Sequence, residues 1–255
     1  MHVKTIEVLR VPVACVTYES ALAAVLELAQ ESRPTAVCPA NTHILAEARH
    51  NSDFSATMRK FDLVFPDGMP VVWALRLYGA KLSDRVYGPY FMRHALSGTP
   101  APLRHFFFGD SDAVIERLKV IAKELNPAID IVGAISPPFR PFTEDDEKMF
   151  AQTINDADPD FIWVALPGVR MERWIADNQW RYNRGVFLAV GDAFTLLAGA
   201  RKFAPAWMQR LGLTWIYRLS AEPMRLGPRY LEYNALYLRY FIPELLRKLV
   251  PRHRR

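Results

Sequence analysis

Leu63-Val64-Phe65-Pro66-Asp67-Gly68-Met69-Pro70-Val71-Val72-Trp73 is a short β-branched and aromatic run that ends in a Pro-Asp-Gly turn and continues as an apolar segment. Strand, turn and helix in that order make half of a βαβ unit. The same alternation extends outward in both directions. Ala36-Val37-Cys38 precedes it, and His105-Phe106-Phe107-Phe108, Ile129-Asp130-Ile131-Val132, Phe161-Ile162-Trp163-Val164-Ala165 and Val186-Phe187-Leu188-Ala189-Val190 follow, with segments of helical period between them. Six such runs separated by helices predict an α/β fold: a Rossmann-like parallel sheet of about six strands flanked by helices. Ser111-Asp112 and Thr143-Glu144-Asp145-Asp146-Glu147 supply helix starts, with a capping side chain and acids at the positive end of the helix dipole. Thr5 to Thr17 predicts a small N-terminal hairpin around Pro12, followed by a helix from about Ser20 to Gln30.

From Pro205 the strand signal stops. Pro205, Pro223, Pro228, Pro243 and Pro251 punctuate short helical segments, giving an α/β domain over 1–204 and a helical C-terminal appendage over 205–255. Tyr230, Tyr233, Tyr237 and Tyr240 recur at intervals of three and four and share one helical face. Two readings of that stripe stand side by side: packing against the body or a partner subunit, or an interfacial helix at a lipid surface.

The chain has 255 residues, 51% hydrophobic and 23% charged, enough to bury a sizeable core without disulfides or structural metal. Its net charge of +5 is unevenly placed, because residues 201–255 hold twelve Lys/Arg against three acids. Nine of the 31 aromatic residues also lie there, which separates this tail from the low-complexity basic arm of a disordered nucleic-acid tether. Cys15 and Cys38 have no partner at metal spacing and read as buried free thiols of a reducing cytoplasm. The N-terminus has no apolar leader, and the longest near-apolar stretch, Val186 to Ala200, is too short to span a bilayer and contains Asp192. The expectation is a protein neither exported nor transmembrane.

Ligands of an open parallel sheet bind beyond the carboxyl ends of its strands, which singles out Asn41, Asp67-Gly68, Gly109-Asp110-Ser111 and Gly191-Asp192. Asp67 is the most pointed candidate, although Pro-Asp-Gly is also a common turn. A serine hydrolase at Ser111 needs an Asp-x-x-His pair, and no histidine has Asp three places before it; Ser111 reads as a helix cap. The glycine patterns of dinucleotide and P-loop sites are missing, as is the Asp-x-Asp that anchors a metal at a sugar nucleotide.

Asn41-Thr42-His43, the Phe65 to Trp73 stretch, Asp84-Arg85-Val86-Tyr87-Gly88, Ser136-Pro137-Pro138-Phe139, and Ala204-Pro205-Ala206-Trp207-Met208-Gln209-Arg210-Leu211-Gly212-Leu213 with Trp215, Arg218-Leu219, Glu222-Pro223 and Arg225-Leu226 together resemble the WecG/TagA/CpsF glycosyltransferases over about residues 5–240. The resemblance implies an inverting, metal-independent enzyme without cofactor. Such an enzyme moves a sugar, often N-acetylmannosamine or its uronic acid, from a UDP donor to a polyprenyl diphosphate-linked saccharide of wall, capsule or exopolysaccharide. It also implies Asp67 as catalytic base with Arg85 near it. Asn41, Gly68, Gly109, Glu172, Gly191 and Asp192 would contact donor or acceptor, and Arg218, Arg225 and Arg229 the diphosphate. Arg218, Arg225 and Arg229 would align on an unbroken helix, but Gly227-Pro228 is expected to break it.

Several positions depart from the family pattern. Pro39 stands where Thr is usual, Gly88-Pro89-Tyr90 replaces Gly-Ser-Asp, and Val169-Arg170-Met171-Glu172 replaces Pro-Lys-Gln-Glu. Asp192-Ala193-Phe194-Thr195 replaces Ala-Ala-Phe-Asp, and Thr214 replaces an acid. A site built for a hydrogen bond discriminates strongly when the partner is missing, so an altered donor or acceptor is expected, an unacetylated hexose such as glucose being one candidate. A partner of a polysaccharide assembly complex without catalysis is the alternative. The basic tail and the stripe further imply an anionic membrane surface as partner and a peripheral position on the inner face of the plasma membrane. No nucleic acid is expected, and homo-oligomerisation stays open.

Overall fold

The computed structural model describes residues 3–100 and 102–249; Pro251 and the basic residues after it lie outside the described residues. The N-terminal hairpin is β1 (Thr5–Val8) and β2 (Val11–Ala14), followed by α1 (Tyr18–Leu28). The alternating part runs β3 (Pro34–Ala40), α2 (Thr42–His50), α3 (Ser52–Met58), β4 (Leu63–Pro66), α4 (Met69–Leu77) and α5 (Gly88–Gly98). It continues with β5 (Arg104–Gly109), α6 (Asp112–Leu125), β6 (Asp130–Ile135), α7 (Glu144–Ala157), β7 (Phe161–Ala165), α8 (Arg170–Asn178), β8 (Gly185–Ala189) and α9 (Ala193–Leu197). The tail forms α10 (Ala206–Arg210), α11 (Thr214–Ala221) and α12 (Pro223–Leu249).

β3 to β8 form one six-stranded sheet in the order β4-β3-β8-β7-β5-β6, parallel throughout. Its strands are apolar on both faces because helices cover both. Side chains alternate across the pleat: Phe106, Phe108, Ile162 and Val164 join the core under α2, α3, α7 and α8, whereas Phe107, Phe161 and Trp163 join the core under α1, α5, α6 and α9. All six expected runs are strands of this sheet. Thr143 caps α7 with a reciprocal bond to Asp146, and Thr17 caps α1.

The hairpin turns at Leu9-Arg10 and not at Pro12. Both turn residues have positive φ, 51° and 69°, the backbone that matches the twist of two antiparallel strands. Neither residue favours that conformation by itself. Leu9 is fully buried and its N–H donates to Glu244 Oε1 at 3.2 Å, so tertiary contacts impose it. Pro12, which has no N–H to give, sits in β2 opposite Glu7.

The tail also departs from expectation. Gly227-Pro228 does not break the chain, and α12 is one helix of 27 residues with Pro228 and Pro243 inside it. Each proline frees the carbonyl four places back, and those belong to Met224 and Arg239, both exposed, where water can take the bond. The tyrosine stripe faces the body: Tyr237 is buried, the Tyr233 ring lies 3.7 Å from that of His43, and Tyr240 Oη lies 2.9 Å from His50 Nδ1. Packing, then, accounts for the stripe.

Candidate active site

Every strand of the sheet sends residues from its carboxyl end into one cleft of about 840 Å³. Asn41 follows β3, Asp67 follows β4, Asp110 follows β5, Ser136 follows β6, Gly168 follows β7 and Asp192 follows β8. A second, more apolar cleft of about 540 Å³ lies between α4, α11 and α12. The two meet at Asn41, His43, Asp67, Arg218 and Arg229.

Asp67 is fixed by its neighbours before its side chain does anything. Its N–H donates to Ala40 O at 3.0 Å, and Gly68, at φ +150°, turns the chain from β4 into α4. The surrounding protein raises the Asp67 carboxyl to about 7: burial pushes it up, Arg85 pulls it down, Asp192 pushes it up, and Arg218 and the Gly88 N–H pull it down. A carboxyl poised there can take or give a proton near neutral pH.

The cations around it are anchored one by one. Arg85 is buried; its Nη2 donates to Thr214 Oγ1 at 2.9 Å and its guanidinium lies 4.7 Å from the Tyr87 ring centroid. Arg218 pairs with Asp192 at 3.0 Å, and Arg201 with Asp192 at 3.6 Å and Glu222 at 3.1 Å. Arg225 pairs with Glu222. Arg229 donates to His43 Nδ1 at 3.1 Å. Burial holds His43 down at about 4, with the Arg229 charge adding to it, so the imidazole is neutral and its proton sits on Nε2. That buried Nε2–H has no protein partner.

Arg218 lies on α11 and Arg225 and Arg229 on α12, and all three line the first cleft. Their convergence comes from the turn between the two helices, at Glu222 and not at Gly227-Pro228. Arg85 and Gly68 line the second cleft, not the first. Asn41 lines both while its Oδ1 caps α2, accepting from His43 N at 3.0 Å and Ile44 N at 3.3 Å. Gly191, at φ +54°, gives the first cleft a wall without a side chain. Gly109 reaches neither cleft. At φ +131° an added Cβ would stand 2.2 Å from Ala165 O, so glycine there serves the approach of β5 to β7.

Glu172 is buried in the first cleft's wall, raised to about 7 by burial. Cys38 Sγ lies 3.9 Å from its Oε1, and Oε2 has no partner. Of the positions that break the family pattern, Pro39, Pro89, Arg170, Met171, Asp192 and Thr195 line the first cleft. Tyr90 stands apart, accepting from Gln209 Nε2 at 3.0 Å and stacked on Phe203. Thr214 lines the second cleft and accepts from Arg85 there. Sequence reading passed over Arg201 and His43. His43 stands within the Asn-Thr-His motif, which was the available signal; Arg201 has only its place shortly after Gly199. Among the described residues no three His, Cys, Asp or Glu side chains gather as a metal would need.

A family model described as the glycosyl transferase WecG/TagA/CpsF family matches residues 6–251. A protein of Bacillus subtilis (strain 168) is 28% identical over 186 residues, 72% of this chain and 71% of its own length. One from Bacillus spizizenii is 29% identical over 190 residues, covering 74% and 72%. A third, from Staphylococcus aureus (strain NCTC 8325), is 24% identical over 194 residues, covering 75% and 74%. All three carry the name N-acetylglucosaminyldiphosphoundecaprenol N-acetyl-beta-D-mannosaminyltransferase.

Proposed function

The chain belongs to the WecG/TagA/CpsF glycosyltransferase family, and from that premise we propose that it transfers a sugar, a hexose or N-acetylmannosamine, from a UDP-sugar to a saccharide carried on a polyprenyl diphosphate, with inversion and without a metal ion. The observation that carries this reading is Asp67, a carboxyl raised to about 7 at the junction of two clefts and ringed by arginines.

In this mechanism the acceptor hydroxyl gives its proton to Asp67 as its oxygen bonds to the anomeric carbon. The bond from that carbon to the UDP oxygen breaks on the opposite face, and the electron pair leaves with the diphosphate. Arg218 and Arg229 neutralise the charge that develops there, which guanidinium forks suit better than point charges. Arg85, held by Thr214 and Tyr87, keeps the Asp67 anion accessible by offsetting its burial. Pro39, Pro89 and Met171 remove hydrogen-bonding side chains from the first cleft while Asp192 adds one, which favours a donor sugar other than the one the family pattern serves. The division at residue 204 belongs to the same proposal: the α/β domain binds the donor, and the appendage rests on the cytoplasmic face of the membrane that carries the acceptor. No described helix is long and apolar enough to cross a membrane.

The test is a panel of UDP-hexoses and UDP-N-acetylmannosamine with N-acetylglucosaminyl-diphosphoprenol as acceptor, run with and without EDTA, the product's anomeric configuration being read by NMR. Turnover in EDTA with an inverted anomeric centre is expected. Loss of turnover restored by magnesium removes the metal-independent mechanism. Binding of UDP-sugars without transfer to any acceptor favours a non-catalytic partner.

A further inference from the structure

We propose that the apolar cleft between α4 and α12 holds the first isoprene units of the acceptor's lipid chain. The inference rests on the acceptor proposed above and extends it from the sugar diphosphate to the hydrocarbon. The inner end of this cleft is the cationic junction at Asp67, Arg218 and Arg229. From there α12 forms its wall from Leu226 to Phe241, a run of about 22 Å at the helical rise per residue.

Polarity falls along that run. Beyond Tyr233 and Asn234, α12 offers Tyr237 stacked on Phe241 with ring centroids 5.3 Å apart, and α4 offers Trp73, Ala74 and Leu77. The outer lip stays open to solvent, with Trp73 48%, Leu77 52% and Leu238 51% exposed. Single exposed apolar residues are ordinary. Three around one mouth, whose far end opens on Asp67 and on the arginines that line both clefts, fit an amphiphile with a hydrocarbon tail and an anionic head that shares those guanidinium groups with the donor's diphosphate. A nucleotide matches this channel poorly, because beyond Asn234 few polar groups remain to meet a base or ribose. A second copy of the chain would cover the lip and leave the arginines unmatched. One lip, α4, belongs to the α/β body, so chain recognition would not be confined to the appendage.

The experiment compares acceptors with the same saccharide diphosphate on citronellyl, farnesyl and undecaprenyl chains, all in one detergent, for the wild type, Trp73→Ala and Leu238→Asp. In the wild type, kcat/KM should rise about tenfold or more from the shortest to the longest chain, as each buried methylene contributes. In both variants that ratio should fall toward one, through KM for the long-chain acceptor, while UDP-sugar affinity measured by calorimetry is retained. Fluorescence titration with farnesyl diphosphate gives a second readout that needs no turnover, since Trp73 and Trp215 line the cleft. Transfer that ignores chain length, together with no farnesyl diphosphate quenching, overturns the inference. Quenching that Leu238→Asp abolishes, in a protein that transfers to no acceptor, upholds the channel and removes the proposed reaction instead. Self-association abolished by Trp73→Ala, with farnesyl diphosphate binding unchanged, assigns the lip to a second copy and overturns the proposal.

Discussion

Asp67, in its proposed role, works only after losing its own proton, and burial sets that loss near pH 7. The acid limb of kcat/KM should therefore rise through about pH 7 and level above it. Asp67→Asn should lower kcat by about a hundred- to ten-thousandfold while leaving UDP-sugar affinity by calorimetry close to wild type. More than a tenth of wild-type turnover in that variant removes Asp67 from the base role. Glu172 invites a stability measurement. Its folded-state pKa, about 7, lies above the ordinary carboxylate value, so its contribution is complete in acid and is lost as pH rises through 7. Glu172→Gln should thus raise Tm by roughly 5 °C at pH 8, where the buried charge costs a few kcal/mol, and change it little at pH 4. Asp67 was legible because a carboxylate between a strand and a glycine is a local pattern. The contacts that tune the site were not: Arg85 reaches Thr214 across 129 residues and Arg229 reaches His43 across 186, separations that only the folded chain brings together.

Among the elements, α12 shows how a regular pattern can be read on the wrong side. The tyrosines stand out by type, yet they face α2 and the body. Met224, Leu231 and Leu238 recur every seven residues, with Ile242 and Leu246 following at four, and all five are exposed. That weaker aliphatic period marks the surface a bilayer would meet, with Arg239, Arg247 and Lys248 exposed on the same helix. If α12 docks the protein on anionic lipid, Leu231→Glu with Leu246→Glu should reduce sedimentation with phosphatidylglycerol vesicles by tenfold or more at constant donor affinity; unchanged sedimentation confines α12 to a structural role. Removing the helix is a poorer test, since Tyr237 and its neighbours complete the core over α2. The prolines misled because packing of α12 on the body, through Leu236, Tyr237, Tyr240 and Phe241, outweighs the lost bonds, and the freed carbonyls belong to exposed residues.

For the whole molecule, the sequence supplied the number, type and places of the strands but not their order. Periodicity registers what each strand buries, and neighbours are chosen by how the crossovers pack. That order gathers six strand ends into one cleft, and an arginine set spread over α11, α12 and the loops before α5 and α10 closes beside it. It also makes one strand indispensable: β8 alone joins β3 and β4 to β7, β5 and β6. During synthesis β3 pairs early with β4 but waits for most of the chain before its second neighbour, β8, exists. A nascent chain stalled once residues up to Arg184 have emerged should therefore hold two half-sheets with open edges, protease-sensitive and aggregation-prone on release, and a stall beyond the emergence of α12 should be resistant to pulse proteolysis. The open edge of β3 in the half-made chain is where a chaperone has most to protect.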